Sequence, residues 1–479
     1  MTGHGFLARK PIAEIVASGE SSRLVRSLGP ASIAAIGIGA IIGAGIFVLT
    51  GTAAANYAGP AIMLSFTLAA VACLFVGLCY AELASMLPVS GSTYAYTYAT
   101  MGELAAWVIG WDLILEYTMG SAAVAVGWSG YAVSLLRGFG IDFPPALAAP
   151  PGGTSPDGVV HGIVNLPAFA IVIVLTGALV LGTRGSSRLN NVMVSIKLLV
   201  VVAFVALGAF YVDPARWHPF IPPNTGQFGH FGLSGILRGA SVVFFAFLGF
   251  DTVSTTAQEA LRPQRDVPLG ILVSLAICTV LYVAVAAVLT GVVPFTELNT
   301  ADPIARGVDA IGFPFLSAMV KAGALTGLTT VILVLLYAQG RIFFAMSGDG
   351  LLPSLFATVH PRLRTPYLSQ VLIGLVVATL AALLPVEILG EMVSIGTLFA
   401  FVLVCFAVLY LRRAEPAMKR SFRAPASPWV PLLGIAFCLL LMSGLPLFTW
   451  LRLVVWLAIG IVVYFAYGRR HSHLAGAAR

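Results

Sequence analysis

The stretch IGAIIGAGIF, Ile38 to Phe47, lies in the first long apolar run, and with the preceding Gly37 it places four glycines in nine residues. Each glycine inside a helix costs about 1 kcal/mol relative to alanine. A run apolar enough to cross a membrane therefore carries several of the weakest helix formers near its middle. Gly39 and Gly43 satisfy the small-xxx-small spacing that lets membrane helices approach closely. Gly43-Ala44-Gly45 is harder to explain by packing, because glycines two positions apart face different sides of a helix. Unwinding there would leave amide N–H groups at the start of an outer half-helix, a site for an anionic group. The freed carbonyls would suit a cation. Hydrocarbon tolerates irregular backbone only where it lines a cavity or is buried in protein, so a break implies a polar ligand. A zwitterion supplies both charges.

The rest of the chain places this break in a membrane. Hydrophobic residues make up 59% of the sequence and charged residues 9%, against about 25% charged in a soluble domain. A span needs about 20 mainly apolar residues, and the chain offers twelve such runs. They cover Ala31–Gly51, Pro60–Met86, Leu104–Leu136, Ile163–Gly182, Asn191–Tyr211 and Leu233–Glu259. The others cover Val267–Val293, Gly312–Ala345, Leu368–Leu384, Ile388–Tyr410, Trp429–Leu447 and Leu451–Tyr467. The runs are continuously apolar, which excludes the alternating strands of a membrane β-barrel. The expected fold is an all-α membrane protein with 12 transmembrane helices.

Basic residues set the orientation. With the N-terminus inside, cytoplasmic segments hold Arg9, Lys10, Arg23, Arg26, Arg184 and Arg188, and later Arg262, Arg265, Arg362, Arg364, Arg412 and Arg413. The opposite side keeps little beyond Arg137, Arg216, Arg238, Arg306 and Arg452. Both termini are expected to be cytoplasmic in a multi-pass protein of the plasma membrane. The net charge of +7 follows from this asymmetry and requires no nucleic acid. All five cysteines lie in apolar runs and read as core residues, and the seven histidines show no metal-ligand spacing. Residues 1–30 read as a cytoplasmic segment with a short interfacial helix.

A weak internal echo organises the spans. Span six contains SVVFFAFLGFDT, Ser241 to Thr252, with small residues mid-run and Asp251 placed to cap the half-helix that follows. Interruptions in corresponding spans of two halves point to a transporter's binding site. Spans one and six correspond if each half has five spans, and an odd number requires the halves to be inverted. The domains are then 31–211 (spans one to five), 233–410 (six to ten), 429–467 (two extra spans) and a cytoplasmic tail, 468–479.

Ionisable groups inside spans are functional candidates. Lys197 sits six residues past Asn191, roughly 10 Å into its span at about 1.5 Å per residue. It either snorkels back to the cytoplasmic surface or is an amine buried deeply enough to take and release a proton. Glu116 lies nine residues past Trp107, roughly 14 Å from the same surface. It could pair with Lys197, line the substrate pocket, or take up a proton. Lys321 and Arg238 are nearer the outer face and read as snorkelling. Glu259, Arg262, Arg265 and Asp266 form either a cytoplasmic gate or a solvated loop. With no histidine pair, metal ligands or nucleophile–base spacing, the sequence does not read as an enzyme.

Four stretches resemble a known family: IGIGAIIGAGIFVLTG at 36–51, LPVSGSTYAYTY at 87–98, GFDTVSTTAQEALRPQRDVPLGI at 249–271 and SGDGLLPSLFATVHPRLRTP at 347–366. The chain is similar to bacterial members of the amino acid–polyamine–organocation superfamily, in its cationic amino acid transporter subfamily. The resemblance implies a LeuT-type five-plus-five inverted repeat with helices 1 and 6 broken mid-membrane, and L-amino acid transport, proton-coupled or by uniport or exchange. A non-transporting amino acid sensor would share the same site. It implies that the substrate carboxylate meets amides at Ala44 and Gly45, with Gly43 in the same substrate site. The substrate amine would meet carbonyls at Ile41, Phe245, Ala246 and Leu248, with Phe247 beside them as part of a gate. Lys197 matches the lysine that replaces sodium in proton-coupled relatives, and no cofactor other than the proton is expected. Apolar residues around Leu335 and Leu336, if they face the pocket, favour small neutral side chains.

Overall fold

The computed structural model describes residues 28–86, 92–153, 161–182, 187–362, 365–418 and 420–473. The interfacial helix expected in 1–30 falls, apart from the last few residues, outside the described residues. The first long run forms α1 (Pro30–Ile41), then a non-helical link, then a helical stretch α2 over residues 45–58 that begins and ends in π-turns. The remaining elements of the first part are α3 (Ile62–Met86), α4 (Ser92–Thr100), α5 (Glu103–Gly138), α6 (Leu166–Leu181) and α7 (Ser187–Gly208). There follow α8 (Gly232–Val243), α9 (Pro263–Val292), α10 (Pro303–Ile311), α11 (Pro314–Gly348), α12 (Tyr367–Leu383), α13 (Val386–Ala414), α14 (Trp429–Ser443) and α15 (Leu447–Val463).

Among the described residues, seven helices are long and apolar enough to cross a membrane, and five apolar helices are shorter, at 10–17 residues. Two of the short ones, Pro30–Ile41 and Gly232–Phe247, are the pieces left by the interruptions in runs one and six. Local signals explain most ends. Proline, whose missing N–H costs nothing in a first turn, opens α9, α10 and α11. Asn165 caps α6 by accepting from Ala168 N–H at 3.2 Å, and Gly182 ends it in the left-handed region. With 36 residues, α5 is about 54 Å long and exceeds the hydrocarbon thickness of about 30 Å.

Some boundaries differ from expectation. The first run does not end at Gly51; helix continues to Ala58 and turns at Gly59, whose φ of 59° suits glycine. Two short helices, α4 and α10, lie in segments read as loops. Run six is not helical to Glu259: it is α-helical to Val243, then forms 3-10 turns over Phe244–Phe247 and Asp251–Gln258.

Helices pack in a recurring relation. The α3 helix runs along α9, α5 along α11 and α6 along α12, while residues 45–49 meet residues 244–247. Small residues permit the contacts, as between membrane helices generally. A β-carbon on Gly374 would lie 2.1 Å from Thr176 Oγ1, and one on Gly460 would lie 2.4 Å from Trp111. All five cysteines are buried and free.

Candidate functional site

The two interruptions face each other. After Ile41 the chain turns extended at Ile42 (φ −70°, ψ 101°), passes through Gly43 and Ala44, and resumes helix at Gly45. Opposite, Leu248 is extended (φ −53°, ψ 135°) and Gly249 takes φ 106°, a conformation that side chains rarely adopt. The four glycines divide their labour. Gly37 packs against Ser274 and Gly39 against Val194, where a β-carbon would come within 2.7 Å of a neighbour. A β-carbon on Gly45 would meet Ala246 Cα at 2.2 Å, whereas one on Gly43 would make only ordinary contact with Val331 at 3.5 Å.

Ile41, Gly43, Ala44, Gly45, Phe245, Ala246, Phe247 and Leu248 are thus brought together and buried. A helix starting at Gly45 directs its first N–H groups back into the break, where the Phe47 N–H already reaches the Gly43 carbonyl at 3.4 Å. Sequence reasoning missed Tyr282 on α9. Its hydroxyl lies 2.8 Å from the carbonyl oxygens of both Ile41 and Ala246, and its ring packs edge-on to Phe247 at 5.3 Å. It marks these carbonyls as accessible to a donor. A single tyrosine in an apolar run carries no such signal.

Lys197 reaches the same break from α7. Its Nζ donates to the carbonyl oxygens of Gly39 and, at 3.0 Å, of Ile42. The side chain is buried and its stem passes Gly327 of α11. Snorkelling is therefore overturned: the ammonium is spent on the carbonyl-rich end of α1, where a cation is favoured.

Glu116 does not pair with Lys197. It lies on α5 one turn from Asp112, beside Thr397 of α13 and within the field of Asp251. Glu116 Oε1 and both carboxyl oxygens of Asp112 are buried without a hydrogen-bond partner. One turn further along α5, a β-carbon on Gly120 would contact Leu248 and Leu335 at 3.5 Å and Val393 at 3.9 Å. The wall beside the breaks is apolar there.

Expectations for Arg238, Asp251 and Lys321 also change. Arg238 does not snorkel; it forms a buried ion pair with Glu391 of α13, donates to Gly444 O at 3.2 Å and lies 5.1 Å over the ring of Tyr57. Glu391 also accepts from Thr449 at 2.6 Å. Asp251 is the first residue of the 3-10 stretch, with Phe250 at the position before it. In the candidate gate, Asp266 accepts from the Arg262 amide at 3.0 Å, and Leu28 bridges the backbone of Glu259 and Leu261 at 3.0 and 2.9 Å. Lys321, also read as snorkelling, is buried and meets Asp309 of α10 at 3.3 Å.

An all-helical apolar fold with two facing interruptions, and a buried lysine on one of them, is the architecture of a membrane carrier. A family model described as amino acid permease matches residues 28–468. The branched-chain amino acid permease BcaP of Bacillus subtilis is 48% identical over 469 residues, covering 97% of this chain and 98% of that protein. A methylthioribose transporter of the same organism is 45% identical with the same coverage. Human cationic amino acid transporter 4 is 39% identical over 81% of this chain and 60% of its own length. The chain belongs to the amino acid permease family; it is an amino acid transporter and not an enzyme.

Proposed function

We propose that this protein is a secondary active transporter that carries small neutral L-amino acids by alternating access, with a proton as the coupling ion. The observation that carries the reading is the contact of the Lys197 ammonium with carbonyls freed by the break after Ile41. A protonated amine offers three donors and a charge to that helix end; a neutral amine offers less and no charge. Losing the proton would release α1, the half-helix free to swing on the cytoplasmic side. Glu116, buried with an unpartnered oxygen, is the second proton site.

In this reading the twelve apolar helices are twelve spans of a LeuT-type inverted repeat, spans one to five within 31–211 and six to ten within 233–410, with 429–467 added. A two-fold axis brings each element to its counterpart, and the packing of spans one with six, two with seven, three with eight and four with nine supports it. The substrate carboxylate meets the amides of Gly43, Ala44 and Gly45. Its ammonium replaces the Tyr282 hydroxyl at the Ile41 and Ala246 carbonyls, with Phe245 and Leu248 contributing the others and Phe247 closing over it. Gly120, Leu335 and Val393 bound the side chain. The protein works in the plasma membrane with both termini cytoplasmic.

The 45% identity to a methylthioribose transporter keeps a neutral thio-sugar as a second reading. Uptake of labelled L-alanine, L-arginine and methylthioribose into sodium-free proteoliposomes, with and without an inward proton gradient, separates them. Gradient-dependent alanine accumulation is expected. Uptake of methylthioribose alone would replace the amino acid reading, and equilibration without a gradient effect would remove proton coupling.

A further inference from the structure

Residues 464–473 continue α15 and lie against two points, the start of α5 and the turn after α11. Glu103, the first residue of α5, is 2% exposed and accepts from Tyr464 at 2.9 Å and from Ser472. Asp349 O accepts from the His473 amide at 3.2 Å. Beside it, a β-carbon on Gly350 would stand 2.2 Å from the His471 carbonyl oxygen. The short helix α4 holds the same two residues. Tyr98 donates to the Glu103 carboxylate at 3.1 Å, and Tyr94, one turn earlier, donates to the Asp349 carboxylate at 2.8 Å. The chain's end and α4 thus share both anchors.

The other side of α4 leads to the second interruption. Thr93 and Tyr80 of α3 share a hydrogen bond at 2.6 Å. The Tyr80 ring packs edge-on to Phe250 at 5.7 Å, and Phe250 follows Gly249, the positive-φ residue of the break. Residues 92–100 also pack against residues 251–258. A swing of that stretch must carry α4 with it or slide past it, and α4 is tied at both anchors.

We propose that residues 464–473 are an autoinhibitory strap. By bracing Glu103 and the turn at Asp349, they pin α4 and restrain movement at the second interruption; releasing them frees that movement and raises turnover. Coupling between distant segments travels through packed side chains and hydrogen bonds that have two arrangements, and Thr93, Tyr80 and Phe250 form such a chain here. Placing the strap on the cytoplasmic side rests on the orientation given above; the contacts themselves do not.

Ser472 provides the test, because a carboxylate at that position would face the buried Glu103 carboxylate and repel it. Hydrogen exchange of the purified full-length protein, read by mass spectrometry without substrate, reports the outcome segment by segment. Ser472→Glu should speed exchange at 464–473, at 92–100 and at 247–258 by roughly fivefold or more, and Ser472→Ala by less. Tyr94→Phe with Tyr98→Phe cuts α4 from both anchors. Adding Ser472→Glu to that pair should then leave 92–100 and 247–258 no faster. Initial uptake per folded protein should rise in Ser472→Glu. Unchanged exchange at 92–100 and 247–258 in Ser472→Glu, whether or not 464–473 loosens, would overturn the proposal, as would additive effects in the triple variant. Slower uptake with loosened segments would overturn the inhibitory sense. The exchange measurement needs neither substrate nor gradient, so a failure of the proton-coupled reading leaves it unaffected.

Discussion

Gly45 and Ala246 approach so closely that a β-carbon on Gly45 would stand 2.2 Å from Ala246 Cα. This contact joins the two interruptions at one point and makes the first residue of α2 a neighbour of the 3-10 turn after α8. Any side chain at position 45 must separate them. Gly45→Ala is expected to reduce uptake to near background, whereas Gly43→Ala, facing Val331 at 3.5 Å, should keep much of it. Uptake per correctly folded protein, with size-exclusion profiles as the folding control, checks the pair. Equal loss in both would mean that Gly43 is also needed for its backbone freedom.

Tyr282→Phe removes a hydroxyl shared by two buried carbonyls. Leaving a buried acceptor unpaired costs about 1–3 kcal/mol. The melting temperature without substrate should fall by several degrees, and the stabilisation by saturating substrate should grow, because the substrate ammonium takes over those carbonyls. A thermal-shift titration measures both. An unchanged substrate-induced shift would separate the hydroxyl from the binding site.

The Arg238–Glu391 pair is buried on both sides, at 9% and 10% side-chain exposure. Breaking such a pair by removing one partner costs about 3–5 kcal/mol, because the other charge is left buried. Arg238→Met and Glu391→Gln should each lower the melting temperature markedly. The double variant should recover part of the loss. A double variant as unstable as the sum of the singles would show that the two residues act independently.

Burial at the start of α10 pushes the Asp302 carboxyl up from its ordinary 3.8 to about 6. The folded protein therefore holds this proton more tightly than the unfolded chain. Its penalty is absent below about pH 4, grows as pH rises through 6 and is constant above. Asp302→Asn should raise the melting temperature at pH 8, with the gain vanishing between about pH 6 and pH 4. A pH series of melting curves tests the sign; a constant gain at all pH values would point to packing instead.

Much of this was legible in local sequence. Two glycines two apart in an apolar run marked the break at residues 42–44, and the depth of Lys197 marked it as an unusual cation. What the sequence hid depends on partners far along the chain. Arg238 read as snorkelling because its position shows depth but not Glu391, 153 residues away. Tyr282 read as one more apolar residue because its two acceptors lie on other elements, the nearer one 36 residues away. Glu116 and Lys197 both point inward, yet one faces α13 and the other α1, a distinction that spacing along two separate helices cannot make. The short helices α4 and α10 were missed because they lie between spans and carry no long apolar run.

The central claim is that the Lys197 ammonium couples the proton to the break in the first span. Its most direct test compares wild type with Lys197→Gln in sodium-free proteoliposomes, measuring gradient-driven accumulation and, separately, exchange across the membrane with substrate on both sides. Wild type should accumulate L-alanine only with an inward proton gradient. Lys197→Gln should lose accumulation while still exchanging. Gradient-driven accumulation retained in Lys197→Gln would contradict the account and leave the lysine as a brace between α7 and α1.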